Sequence, residues 1–165
     1  MNREGLIMCI LLLGLVSCSR SGRHKSQNEP EGVKSHPGGN VVSMEKIDGV
    51  YQIPVDIDGV PMHFIFDTGA GMISISETEA IFLYKQHKLS NDDISGSAQF
   101  SDANGNISEG TLIILKEVKI GNRTLENIQA SVVGNLKAPL LIGQSALEKF
   151  GKVTIDYSRM EISFE

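Results

Sequence analysis

Residues 51–66 read YQIPVDIDGVPMHFIF. Tyr51, Ile53, Val55 and Ile57 alternate with other residues; Asp58-Gly59 follows; then Met62, Phe64 and Phe66 alternate again. A period of two places one set of side chains on one face of a sheet. Asp-Gly supplies the two left-handed positions of a tight hairpin turn. The stretch predicts a β-hairpin, and the same grammar recurs downstream. Asn104-Gly105 lies between Ser97–Ser101 and a β-rich run from Ile107 to Ile120. Gly121-Asn122 separates that run from Leu125, Ile128, Ala130 and Val132. Val153, Ile155 and Tyr157 face Met160, Ile162 and Phe164 across Ser158-Arg159. Many short strands with turn residues between them predict an all-β barrel or sandwich. Two short helices interrupt it. Ser76-Glu77-Thr78-Glu79 is a capping box opening a helix to about Lys88. Gln144 to Lys149 forms the second, closed by Gly151.

Composition narrows the function. The chain has 165 residues, 41% hydrophobic and 21% charged, with a net charge of -5, the balance of a globular domain. There is no basic stripe and no Lys/Arg run beside aromatics, so nucleic acid is not an expected partner. The four His (His24, His36, His63, His87) lack the spacing of a zinc site. No metal and no cofactor is expected.

The N-terminus reads as a leader. Leu6 to Val16 is an eleven-residue apolar run broken only by Gly14. As a helix it would rise about 16 Å, against a hydrocarbon core about 30 Å thick. That is the size of a signal-peptide core. The run ends in Leu15-Val16-Ser17-Cys18, which resembles the bacterial lipobox. The resemblance implies cleavage after Ser17 and lipidation of Cys18; an ordinary signal peptide with an incidental cysteine is the alternative. Only Cys9 and Cys18 exist, so after cleavage neither a disulfide nor a thiol nucleophile is left to the folded part. Ser19 follows Cys18 with no inner-membrane retention Asp, so the expected location is the bacterial cell envelope, periplasm-facing or at the surface, with the outer membrane favoured. Residues 18–40 are polar, Gly- and Pro-rich, with one aliphatic residue, Val33. They are expected to form a disordered tether. Residues 1–40 hold five of the 15 basic and three of the 20 acidic residues, so the domain expected over 41–165 carries 10 against 17, or -7.

The chemistry sits at Asp67. Phe64-Ile65-Phe66-Asp67-Thr68-Gly69-Ala70 puts an acid at the end of an apolar strand, where a charge is costly unless partnered. Thr68 adds a hydroxyl, and Gly69 permits close backbone approach. Ile65 to Ala70 resembles, residue by residue, the catalytic motif of retropepsin-like aspartic peptidases. A second family mark is an apolar run, then Gly and a short helix: Leu140-Leu141-Ile142-Gly143 leads into Gln144–Lys149. The resemblance extends over about residues 47 to 165. It implies a closed barrel, with Asp67 as the catalytic acid supported by Thr68, Gly69 and Ala70. It implies a flap hairpin within Ser97–Val118 whose tip is Asp102, Ala103, Asn104, Gly105 and Asn106. It also implies a role for Leu141, Ile142 and Gly143 as the apolar-Gly motif. Gly71 departs from the pattern: many members carry Ser or Thr there, whose hydroxyl bonds the catalytic carboxylate.

Asp-Thr-Gly occurs once. Aspartic catalysis uses two carboxylates sharing a proton and a water. One motif per chain therefore implies a homodimer, with Asp67 of each subunit meeting on a two-fold axis. The expected function is a lipid-anchored aspartic endopeptidase acting on a peptide or protein substrate. The alternatives are a non-catalytic, peptide-binding envelope lipoprotein of the same fold, and a structural lipoprotein. Asp156 is the first second-acid candidate should the dimer fail, although its place between Ile155 and Tyr157 reads better as structural.

Overall fold

A computed structural model of the chain describes residues 39–101 and 104–165. The expected leader (1–17), the expected lipidation site Cys18, the expected tether up to residue 38, and Asp102 and Ala103 of the expected flap tip lie outside the described residues. The hairpin expected at 51–66 is formed by β3 (Val50–Ile57) and β4 (Val60–Phe66), with Ile57 opposite Val60. Asp58 and Gly59 take φ of 53° and 85°. A turn of this kind twists with the strands it joins. Ile53 and Val55 lie opposite Phe64 and Met62, and all four are buried. Asp48-Gly49 makes a second turn of the same kind (φ 50° and 86°). It pairs β2 (Glu45–Ile47) with the start of β3.

The barrel closes through strands far apart in sequence. These are β5 (Ile73–Ser76), β7 (Ile107–Ile120), β8 (Arg123–Val133) and β9 (Leu141–Ile142). In space the order is β3-β4-β9-β5-β8-β7, and β7 returns to β3 through Lys119 and Val118, opposite Asp56 and Ile57. Closure removes the free edges of a sheet. The ring is mixed: β4 with β9 and β5 with β8 are parallel, the other pairings antiparallel. All four residues of β5 are buried. β6 (Ile94–Ser101) continues from β7 as the expected hairpin, Ser101 opposite Ile107, and most of it is exposed.

A second, three-stranded sheet places β11 (Glu161–Phe164) between β1 (Asn40–Ser43) and β10 (Val153–Asp156). Asn40 is already in strand, and buried. Its side-chain amide donates to the Ile120 carbonyl at 2.6 Å and accepts from Asn122 N at 2.8 Å, which ties the sheet to the β7–β8 turn. The last hairpin turn is wider than Ser158-Arg159. Tyr157 and Met160 leave the strands, with Met160 at φ 55°. Asp156 Oδ1 accepts from Ser158 N, Ser158 Oγ and Arg159 N at 2.9, 2.6 and 3.0 Å.

α1 spans Glu77–Lys85, and Ser76 Oγ caps it by accepting from Thr78 N and Glu79 N. It stops three residues before Lys88. His87 adopts φ 57°, and the amides of His87 and Lys88 bond back to the carbonyls of Tyr84 and Leu83, each at 3.0 Å. That reversal normally uses glycine but tolerates histidine. α2 (Gln144–Phe150) ends at Gly151, φ 85°. The core is continuous across both sheets; Phe150 and Phe164, both fully buried, stack tilted at 5.1 Å. No helix of the described residues is long and apolar enough to cross a membrane.

Candidate active site

β4 delivers Asp67 to the mouth of the barrel. Ile65 and Phe66 are paired with Leu141 and Ile142, and Asp67 N donates to the Ile142 carbonyl at 3.2 Å. The apolar-Gly motif therefore braces the acid directly, because β9 is threaded between β4 and β5. Beyond Asp67 the chain turns, with Ala70 N donating to the Asp67 carbonyl at 3.3 Å. Inside the turn Gly69 N donates to Asp67 Oδ1 at 2.8 Å. A Cβ on residue 69 would lie 3.1 Å from that same oxygen, so glycine keeps the carboxylate uncrowded. Asp67 is half-buried, while Thr68 and Gly69 are exposed. The acid is thus oriented by a backbone donor and still open to solvent.

The start of α2 holds the turn from behind. The first amides of a helix have no partner within it. Here Gln144 N donates to the Ala70 carbonyl at 2.9 Å and Ser145 N to the Gly71 carbonyl at 3.0 Å. The Gln144 side-chain amide donates to the Thr68 carbonyl at 2.5 Å. Gly143 has no room for a side chain, since a Cβ would run into the carbonyl oxygens of Ala70 and Met72. Asp67, Thr68, Gly69 and Ala70 thus come together with Leu141, Ile142 and Gly143. Gly71, in contrast, faces open space: its Cβ would meet nothing within 4 Å.

Asp67 lines a cleft of about 560 Å³. Val50, Ile65, Phe66, Pro139, Leu141 and Ile155 form its apolar walls, and Met44 and Gly49 also border it. Tyr51 and Tyr157 close one side with their rings tilted at 5.0 Å, and Lys46 Nζ sits 5.4 Å from the Tyr51 ring centre. Among the described residues Asp67 is the only carboxylate on this lining. The described flap-tip residues, Asn104, Gly105 and Asn106, do not line it. Sequence reasoning missed the two tyrosines. The Asp48-Gly49 turn signal was the clue to Val50 and Tyr51; the role of Tyr157 depends on the last hairpin folding back and has no local mark. Gln144 was read only as a helix start.

Asp156 does not join the site. Its Oδ2 pairs with Arg159 Nε at 2.9 Å. The Ser158 hydroxyl foremost, then the Arg159 and Ser158 amides and the Arg159 charge, hold its carboxyl below the usual range. Among the described residues no group of three or more His, Cys, Asp or Glu could hold a metal.

The comparisons agree with this geometry. A family model described as "gag-polyprotein putative aspartyl protease" matches residues 53–149, more than half of the chain. A solved structure, a retropepsin-like aspartic protease from Rickettsia conorii, superposes with a TM-score of 0.59 at 24% identity, over 77% of this chain and 91% of that one. None of the curated proteins matches. The fold is the retropepsin-like all-β barrel, and from the family match over the residues that build the Asp67 turn and its brace, the chain belongs to the gag-polyprotein putative aspartyl protease family.

Proposed function

We propose that the protein is an aspartic endopeptidase in which Asp67 from each of two chains forms the catalytic pair. The observation that carries this reading is the carboxylate of Asp67, the only one among the described residues to line the cleft, oriented by Gly69 N and braced by β9. An ionised carboxylate takes a proton from the attacking water, and a protonated partner donates to the substrate carbonyl. Asp156 is a poor partner because its bonds to Ser158 and Arg159 favour the ionised form. A second chain supplies an identical acid at no cost in sequence. Substrate would lie extended beside Asp67, with an apolar side chain in the cleft and its backbone paired to strand edges, beneath the β6–β7 flap. Lipidation at Cys18 would hold the enzyme in the bacterial cell envelope, with the outer membrane favoured.

The test is digestion of a peptide library by the wild-type chain and by Asp67→Asn across acid to neutral pH. Cleavage by wild type that disappears in the variant is the expected result. Peptide binding that survives in both, with no cleavage in either, would replace this reading with the non-catalytic one. Mass spectrometry of the mature N-terminus tests the anchor: a diacylated Cys18 is expected, and an unmodified one removes it.

A further inference from the structure

We propose that Gln144 is the positioning residue of the Asp67 turn and that it acts through a single peptide plane; the inference rests on reading Asp67 as the catalytic acid. The turn runs Asp67-Thr68-Gly69-Ala70 and is closed by Ala70 N on the Asp67 carbonyl. Its central peptide joins Thr68 to Gly69. A peptide is planar and trans, so the Thr68 C=O and the Gly69 N–H point in opposite directions and turn together. One end of this plane, Gly69 N–H, holds Asp67 Oδ1 at 2.8 Å. The other end, Thr68 O, accepts from Gln144 Nε2 at 2.5 Å. Fixing the carbonyl therefore fixes the donor that orients the carboxylate.

The restraint answers a weakness in the site. The central peptide is the one that turns over between the two common forms of a four-residue turn. The turned-over form needs positive φ at the third residue, which glycine adopts freely. Glycine at 69 leaves Asp67 Oδ1 in place, whereas a Cβ there would lie 3.1 Å from it and push the carboxylate aside by a few tenths of an ångström. The residue that spares the carboxylate also makes the flip accessible, and the flip would carry Gly69 N–H away from Asp67. Gln144 N and Ser145 N bond the Ala70 and Gly71 carbonyls. Both lie beyond the central peptide and do not touch it. The side-chain amide of Gln144 is the group that does. Gln144 is itself exposed, so shortening its hydrogen-bonding capacity leaves the core intact.

The experiment compares wild type, Gln144→Met (similar length, no donor) and Gln144→Lys (donor kept) in the full chain. The amide proton of Gly69 is followed by NMR, alongside kcat, KM and melting temperature. For Gln144→Met the Gly69 amide should move upfield and exchange faster. With Asp67 no longer held, kcat should fall about tenfold and KM stay within about twofold, with melting within about 2 °C of wild type. Gln144→Lys should restore both the amide signal and kcat. An unchanged Gly69 amide in Gln144→Met overturns the proposal, whether or not kcat falls. A displaced amide in a chain whose wild type cleaves nothing sustains the positioning role and overturns only the catalytic reading of Asp67.

Discussion

At Gly143 the addition of one methyl group should do great harm. The atoms that a Cβ would strike are the carbonyl oxygens of Ala70 and Met72. Backbone cannot step aside without dragging the Asp67 turn with it. Gly143→Ala should therefore cost about 3 kcal/mol in urea unfolding and abolish cleavage. Gly71→Ser, four residues past Asp67, should fold within about 0.5 kcal/mol of wild type, because nothing lies within 4 Å of its Cβ and its φ is not left-handed. The open space also means that a hydroxyl at 71 would reach Asp67 only at full stretch. Two glycines flanking one loop thus have opposite reasons to be there. Ser145 gives a third test. Its hydroxyl is buried and, among the described residues, bonded to nothing. Removing an unpaired polar group recovers its desolvation penalty, so Ser145→Ala should stabilise the domain by about 1 kcal/mol, read as a higher urea midpoint at unchanged slope.

The short turn before the flap shows how an element is held by charge. Asn91–Asp93 forms one 3-10 turn. Ser90 N and Ser90 Oγ both donate to Asp93 Oδ2 at 2.8 Å, and Lys116 Nζ lies 3.2 Å from it. The Ser90 hydroxyl above all, with the Ser90 amide and Lys116, lowers the Asp93 carboxyl against the opposing push of burial. A carboxyl lowered by folding contributes stability above its unfolded value near 3.8, and loses it as pH falls through the lower folded value. Asp93→Asn should therefore melt lower than wild type at pH 6, and the gap should narrow towards pH 2.5; a constant gap would remove the charge from the account. The same scale shows what could be read in advance. The turns at Asp58-Gly59, Asn104-Gly105 and Gly121-Asn122 are legible because the left-handed backbone they need is a local property of glycine and its neighbours. β5 and β9 are not. Four residues and two residues carry no period, and each becomes a strand only because distant chain pairs with it: Ile73–Ser76 with Ala130–Val133, and Leu141-Ile142 with Ile65-Phe66. Asp67 was legible by resemblance and the apolar-Gly motif with it. The reach of Gln144 to Thr68, 76 residues earlier, had no signal in the sequence.

For the whole molecule, the question is whether one chain is a sufficient unit. The described residues offer one carboxylate to the cleft, and the nearest rival in sequence logic, Asp156, is committed to Ser158 and Arg159. If two copies of Asp67 form the catalytic pair, activity belongs to the dimer rather than to either chain. Mass action gives the test. Specific activity should fall on dilution through the dimer dissociation constant. Where subunits exchange freely, an equal mixture with Asp67→Asn leaves each wild-type chain paired with another about half the time. Specific activity per wild-type chain should then drop to about half, and to about one tenth at a ninefold excess of variant. A chain acting alone would ignore the variant at any ratio. Invariant activity in that titration, with exchange verified by mass spectrometry of differently tagged subunits, would exclude a shared site and force the second acid to be sought within one chain.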